Sequence, residues 1–162
     1  MPARALRRQM RAYRIGDPDG LFPIYSTEGA KRIKGRWHER GQDVIYASEH
    51  YSTALLEILA QRYGRLPPNQ HFIEIEIPAG TSYEVVTKDT VLGWDLPDSP
   101  LAREHGAQWF AQCRSAILMV PSIIAREENN ILINLQHRHA ASIHPGLEKP
   151  VRWDARLFGT QP

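Results

Sequence analysis

From Ala116 to Val120 the chain runs through five apolar residues without a break and is then stopped by Pro121. A strand that is apolar on both faces has to be covered on both faces, so this run belongs in the middle of a sheet. Proline cannot extend the ladder, which ends the strand at that point. The run is the longest apolar stretch in the chain, and it is far too short to cross a bilayer. The rest of the chain must therefore supply flanking strands and helices on two sides.

The flanking segments carry distinct signals. Ile73, Ile75 and Ile77 alternate with Glu74 and Glu76, the pattern of a half-buried strand. Asp43 to Ala47 is β-favouring and ends at Ser48, while Thr81 to Val86 reads as another strand. Ala12 to Ile15 forms a short strand broken by Gly16-Asp17-Pro18-Asp19-Gly20. Ser48 is a suitable N-cap for a helix over roughly His50 to Tyr63, with Ala54, Leu55, Ile58 and Leu59 on one face and Gly64 as its stop. Ser99-Pro100 opens a second helix, to about Cys113. Asn129-Asn130 is expected to be a turn before a strand over Ile131 to Asn134, and Ala155 to Phe158 to add a last strand. The sum is a mixed α+β domain with two or three helices and about six short strands.

Several function classes fall away. A net charge of +2 and a pI near 8.8 suit a small anionic ligand without demanding nucleic acid, and no aromatic-interleaved basic stripe is present. The basic cluster Arg4, Arg7, Arg8 and Arg11 reads as a frayed or helical solvated segment, or as a surface for an acidic partner. The single cysteine, Cys113, rules out an intrachain disulfide or a cysteine metal cluster and reads as a core residue. His137, His139 and His144 lack metal-ligand spacing, so no metal is expected. No two glycines lie two residues apart, which excludes G-x-G-x-x-G. The N-terminus lacks the apolar stretch of a signal peptide, so a cytoplasmic protein is expected.

Four segments offer chemistry, each with a plain structural alternative. In Gly35-Arg36-Trp37 the guanidinium fork of Arg36 suits a phosphate, Gly35 permits close backbone approach, and Trp37 either shields a site or anchors in the core. Tyr46, taken as a strand end, presents a ring to a flat base or simply packs; Ser48 caps or binds. Glu57 is a carboxylate in the apolar stretch Ala54 to Ala60, where half-burial is costly unless the group is paired or used. Ser122 leaves the central strand at a position suited to a cleft or to capping a turn.

Taken in order, Tyr13-Arg14, Gly35-Arg36-Trp37, Tyr46-Ala47-Ser48, Ala54 to Glu57 and Val120-Pro121-Ser122 resemble the RES domain, whose Arg, Glu and Ser are here Arg36, Glu57 and Ser122. The likeness runs from about Tyr13 to Phe158 and includes Asp154-Ala155-Arg156-Leu157, so one RES domain over 1–162 is expected, with residues 1–11 as a basic segment before its core. One departure is Asn134-Leu135-Gln136-His137, where relatives carry Asn-Pro followed closely by His; this leaves Asn134 and His137 without an assigned role.

The resemblance implies an ADP-ribosyltransferase-like fold, a mixed or split β-sheet flanked by helices. It also implies the toxin of a bacterial type II toxin–antitoxin pair that consumes NAD. ADP-ribose would pass to a protein, to water or to phosphate. The implied partner is an Xre-like helix-turn-helix antitoxin that blocks the site in a hetero-oligomer, without direct nucleic-acid or membrane binding by the toxin. Within that frame Arg36 suits the pyrophosphate, Tyr46 the nicotinamide, and Glu57 the cationic ribose of the transition state. Ser48 and Ser122 would orient the ribose or the amide, with Arg14 and Trp37 in support. The competing reading is a non-catalytic module that binds NAD or an antitoxin, against which Arg36, Tyr46, Glu57 and Ser122 stand together.

Overall fold

A computed structural model describes residues 3–159; the ends of the expected 1–162 domain lie outside the described residues. In chain order the strands are β1 (Arg4–Ala5), β2 (Met10–Gly16), β3 (Val44–Ser48), β4 (His71–Ile77), β5 (Ser82–Val85), β6 (Ile117–Pro121), β7 (Asn129–Asn134), β8 (His144–Pro145) and β9 (Lys149–Pro150). The helices are α1 (Glu28–Arg32), α2 (Tyr51–Gln61) and α3 (Pro100–Ala111). All the strands join one mixed sheet, ordered β1-β5-β6-β7-β3-β2-β4-β8, with β9 also on β4. Among the described residues only β5 and β6 run parallel; the other pairs are antiparallel.

The apolar run does what its composition requires. β6 is buried along its whole length, and its side chains divide between two cores. Ile117 and Met119 join Ile45, Ala47, Ile75, Ile131 and others on one face. Leu118 and Val120 pack with Val44, Leu132, Trp37, Trp94 and Trp109 on the other, beneath α3. Alternating burial on both faces is the period-2 geometry of a covered strand.

α3 begins as its sequence indicates: the Ser99 side chain accepts a hydrogen bond from the Ala102 N–H, and Pro100 opens the helix. Its close approach to the 35–38 segment depends on Gly106, where a Cβ would lie 1.8 Å from the Trp37 carbonyl oxygen.

The sheet is split between β2 and β3. β2 pairs with β4 through seven register positions but meets β3 at one, Tyr13 with Ser48. Arg14 fills part of the opening: its Nη1 donates to the Tyr46 carbonyl at 2.6 Å and its Nε to the Ile24 carbonyl at 2.7 Å. A guanidinium thus satisfies a strand carbonyl that the ladder leaves open.

Several sequence expectations are corrected. Ser48 does not cap α2; it is the last residue of β3, and His50 holds the cap position without a side-chain cap bond. Asn129 and Asn130 are strand residues, paired with Pro121 and Val120, because long-range pairing overrides the turn preference of asparagine. Ala155–Phe158 forms a 3₁₀ turn capped by Asp154 rather than a strand. Arg4 lies in a strand on β5 and Arg11 in β2, so the basic segment is extended and not helical. Cys113 is exposed and sits at φ 47°, just past the end of α3.

Candidate functional site

Glu57 is set by α2. That helix packs mainly on β2 and more lightly on β3, burying Thr53 and Ala54. Glu57, one turn on from Ala54, is half-buried over the ends of β3 and β7. Its Oε1 accepts from Ser122 Oγ at 2.8 Å and from Asn130 Nδ2 at 2.8 Å. Asn130 Oδ1 in turn accepts from Ser48 Oγ at 2.9 Å. Ser48, Asn130, Glu57 and Ser122 therefore form one hydrogen-bonded chain linking two strands, a helix and a turn. Two donors on one carboxylate oxygen offset the cost of half-burying the charge.

Ser122 is 0% exposed. Besides donating to Glu57, its Oγ accepts from the Ile124 N–H at 3.2 Å and the Ala125 N–H at 3.0 Å. The capping alternative is the one the geometry shows: Ser122 caps the turn after β6 and also holds the Glu57 carboxylate, and being fully buried it does not open onto the cleft that the sequence position suggested.

Tyr46 is the central residue of β3, not its end. Its hydroxyl oxygen accepts from the Trp37 N–H at 3.2 Å and lies 2.8 Å from His38 Nδ1, while His38 Nε2 meets the Ala30 carbonyl at 2.8 Å. Burial pushes the phenol well above its usual range, only partly opposed by the Trp37 N–H and by Arg36. Gly35 serves this arrangement. A Cβ there would lie 2.7 Å from both the His38 ring and the Tyr46 hydroxyl, so the close approach is internal rather than to a ligand. Trp37 is 2% exposed and anchors the α3-side core, the structural alternative for that residue.

Arg36 is committed more firmly than its sequence context indicates. Its Nη1 donates to the Trp94 and Leu96 carbonyls, both at 2.6 Å, across 58 and 60 residues of chain. The 93–98 loop is held in turn by Asp95 with Arg126 at 2.8 Å and by Asp98 with Arg103. Burial lowers the Arg36 pKa, opposed first by Asp95 and then by Glu57; burial also lowers that of Arg14.

These residues line a cleft in two lobes. One, about 240 Å³, lies at the sheet split between Tyr13, Arg14, Ser48 and Ile58. The other, about 380 Å³, lies between Arg36, Trp37, Pro121 and Ile124. Tyr46, Glu57, Gln61 and Asn130 line both and form the divide. The structure thus gathers Arg14, Arg36, Trp37, Tyr46, Ser48 and Glu57 around one cleft, with Ser122 behind Glu57. Asn130 is the residue that the sequence reading missed. Its only sequence signal was a polar position directly before an apolar strand.

His137 and His139 lie elsewhere, next to each other and against Ser82, with His139 Nδ1 accepting the Ser82 N–H at 3.1 Å. Asn134 is buried and donates to the Phe110 carbonyl at 3.2 Å. Among the described residues one group, Glu49, His50 and Glu128, brings three possible ligand atoms within 4.8 Å. His50 Nδ1 there is already paired with Glu128 Oε2 at 2.5 Å.

Residues 11–154 match the RES domain family, and the chain belongs to it. Among its relatives is the Prs ADP-ribosylating toxin of Sphingobium sp. (strain YBL2), 37% identical over 82% of this chain and 86% of that protein. Toxin Res of Photorhabdus laumondii is 32% identical over 77% of this chain and 81% of its own length. The fold is similar to that of a chain in the crystal structure of the M. tuberculosis MbcT–MbcA toxin–antitoxin complex. The TM-score is 0.73 at 14% identity, covering 91% of this chain and 86% of that one. No helix among the described residues is long and apolar enough to cross a membrane.

Proposed function

We propose that this chain is the toxin of a toxin–antitoxin pair and that it breaks the nicotinamide–ribose bond of NAD, passing the ADP-ribosyl group on. The carrying observation is Glu57. Both of its hydrogen bonds end on Oε1, so Oε2 is the oxygen available to a ligand on the ridge between two lobes. The names of the relatives, an ADP-ribosylating toxin and Toxin Res, support the reading.

Breaking the bond makes the ribose cationic as neutral nicotinamide leaves. A fixed carboxylate beside the anomeric carbon stabilises that charge without reorganising. Arg36, with Nη1 anchored, keeps Nε and Nη2 for the pyrophosphate, and Arg14 adds positive charge across the divide. The Tyr46 ring offers a flat apolar surface for nicotinamide. Ser48, next to Asn130, orients the ribose or the amide; Ser122 acts through Glu57 as a positioning residue. The wider lobe, beside Arg36, suits the ADP portion, and the lobe at the sheet split suits the nicotinamide end. An Xre-like helix-turn-helix antitoxin covering this cleft is the partner that fits, and the toxin–antitoxin complex of the fold relative supports a partner of that kind.

The test is nicotinamide release from NAD by the purified, antitoxin-free chain, with chromatography of the products. Glu57→Gln keeps the shape and loses the charge. Removing transition-state stabilisation of this kind costs about 2.7–4 kcal/mol, so release should fall at least about a hundredfold while the circular dichroism spectrum is unchanged. A Glu57→Gln protein as active as the wild type would remove Glu57 from the chemistry. No nicotinamide release by the wild type would instead favour a non-catalytic binding module.

A further inference from the structure

His38 lies beside the cleft but lines neither lobe. It is 3% exposed, and both of its ring nitrogens are occupied. Nε2 lies 2.8 Å from the Ala30 carbonyl of α1, and Nδ1 lies 2.8 Å from the Tyr46 hydroxyl. A carbonyl only accepts, so Nε2 carries the proton of the neutral ring and Nδ1 is left to accept from the phenol. The Tyr46 oxygen in turn accepts the Trp37 N–H at 3.2 Å. Donation therefore runs one way, from Trp37 to Tyr46, from Tyr46 to His38 and from His38 to Ala30.

This chain begins on the peptide that carries the arginine of the cleft, because the Trp37 N–H belongs to the bond between Arg36 and Trp37. Tyr46 is the fixed member, held in β3 by its ladder with β7. A hydroxyl rotates to suit its neighbours, and an acceptor at Nδ1 commits its hydrogen there, leaving a lone pair for Trp37. Each bond in such a row polarises the next. The local sequence is shaped for the contact: a Cβ at Gly35 would lie 2.7 Å from both the His38 ring and the Tyr46 hydroxyl. The Gly35 N–H closes the turn onto the His38 carbonyl at 3.1 Å, and Arg103 Nε donates to the Gly35 carbonyl at 3.2 Å.

Resting on the reading of the cleft as an NAD site, we propose that His38 is a positioning residue for NAD binding. Acting through the Tyr46 hydroxyl, it holds the tyrosine ring and the Arg36 backbone at one spacing. The surface for nicotinamide and the cation for the pyrophosphate are then in place before the dinucleotide arrives. His38 touches neither NAD nor the reacting atoms, so its loss acts on KM and leaves kcat to Glu57.

The experiment measures nicotinamide release by the antitoxin-free chain against NAD concentration. His38→Gln keeps a donor for Ala30 but has no acceptor where Nδ1 stood; His38→Asn puts its amide oxygen near the Nδ1 position and gives up Ala30. His38→Gln should raise KM about tenfold, the effect of one hydrogen bond, with kcat changed less than about threefold. His38→Asn should hold KM within about threefold of the wild type. In a Tyr46→Phe background His38→Gln should add nothing to KM, since the hydroxyl through which it acts is gone. An unmoved KM in His38→Gln, even with a lowered Tm, overturns the proposal, as does an equal rise in His38→Asn or an additive effect in the double variant. Nitrogen NMR of the wild type with ¹⁵N-labelled histidine needs neither a variant nor NAD. It should show His38 protonated at Nε2 alone, and a proton on Nδ1 overturns the proposal even if His38→Gln does not fold. A wild type that neither binds nor cleaves NAD overturns the reading of the cleft itself. A wild type that cleaves NAD with the KM of His38→Gln overturns only the role of His38.

Discussion

Ser122→Ala is the substitution that best separates scaffold from chemistry, because it removes one oxygen that serves three partners. Ser122 Oγ donates to Glu57 Oε1 at 2.8 Å and accepts from the Ile124 and Ala125 N–H groups at 3.2 and 3.0 Å. The residue is fully buried, so water has little access to replace the lost oxygen. A hydrogen bond to a charged group is worth about 1.5–3 kcal/mol and a neutral one about 1 kcal/mol. The three are not additive, because Asn130 still holds the carboxylate and the two N–H groups share one acceptor. A total near 3 kcal/mol is therefore expected, and at about 2–4 °C per kcal/mol for a chain of this size the Tm should fall by about 6–12 °C. Differential scanning calorimetry of the antitoxin-free protein measures it, with Ser122→Thr as a control that keeps the hydroxyl. A fall in Tm of less than about 2 °C for Ser122→Ala would refute the reasoning, since it would mean that the oxygen is not a junction of the fold.

Two further outcomes test other parts of the structure. Gly106→Ala places a Cβ 1.8 Å from the Trp37 carbonyl oxygen, a backbone atom that cannot step aside; α3 should separate from the 35–38 segment, with a loss of more than about 3 kcal/mol visible in urea unfolding. Tyr46→Phe tests the raised phenol. Because burial holds the proton in the folded state above the ordinary value of 10.0, the stabilisation is full below that pH and is lost as pH rises beyond it. The variant should show a shallower fall in stability above about pH 10 than the wild type, and an unchanged slope would contradict the burial of the phenol. Tyr25 and Tyr51, also raised by burial, keep part of the slope.

The legible parts of this fold were those in which neighbouring residues set the outcome. Ser99-Pro100 is a local cap, the Ile73, Ile75 and Ile77 alternation is a local period, and the apolar run of β6 carries its own demand for cover. Where a distant segment decides, the chain misleads. Asn129 and Asn130 have turn chemistry yet lie in β7 because Pro121 and Val120 pair with them. Ser48 has cap chemistry yet spends its hydroxyl on Asn130, 82 residues on. The site divides in the same way. Glu57 stood out as a carboxylate among apolar neighbours, while Asn130, which holds it, was unremarkable in sequence because its function exists only once β3 and β7 are side by side. Arg36 was legible as a cation and illegible as a side chain already anchored.

That anchoring bears on how the cleft meets an anion. A free arginine on a surface loop has many rotamers to give up on binding, and the loss weakens the complex. The Arg36 side chain gave up most of them when the chain folded, because Nη1 was drawn onto the Trp94 and Leu96 carbonyls. An anion entering the wider lobe meets a guanidinium with its position already fixed. On the proposed reading, its affinity would depend as much on the 93–98 loop and the Asp95 and Asp98 ion pairs that hold it as on any residue the anion touches. On that reading, recognition is partly a property of a loop that does not line the lobe.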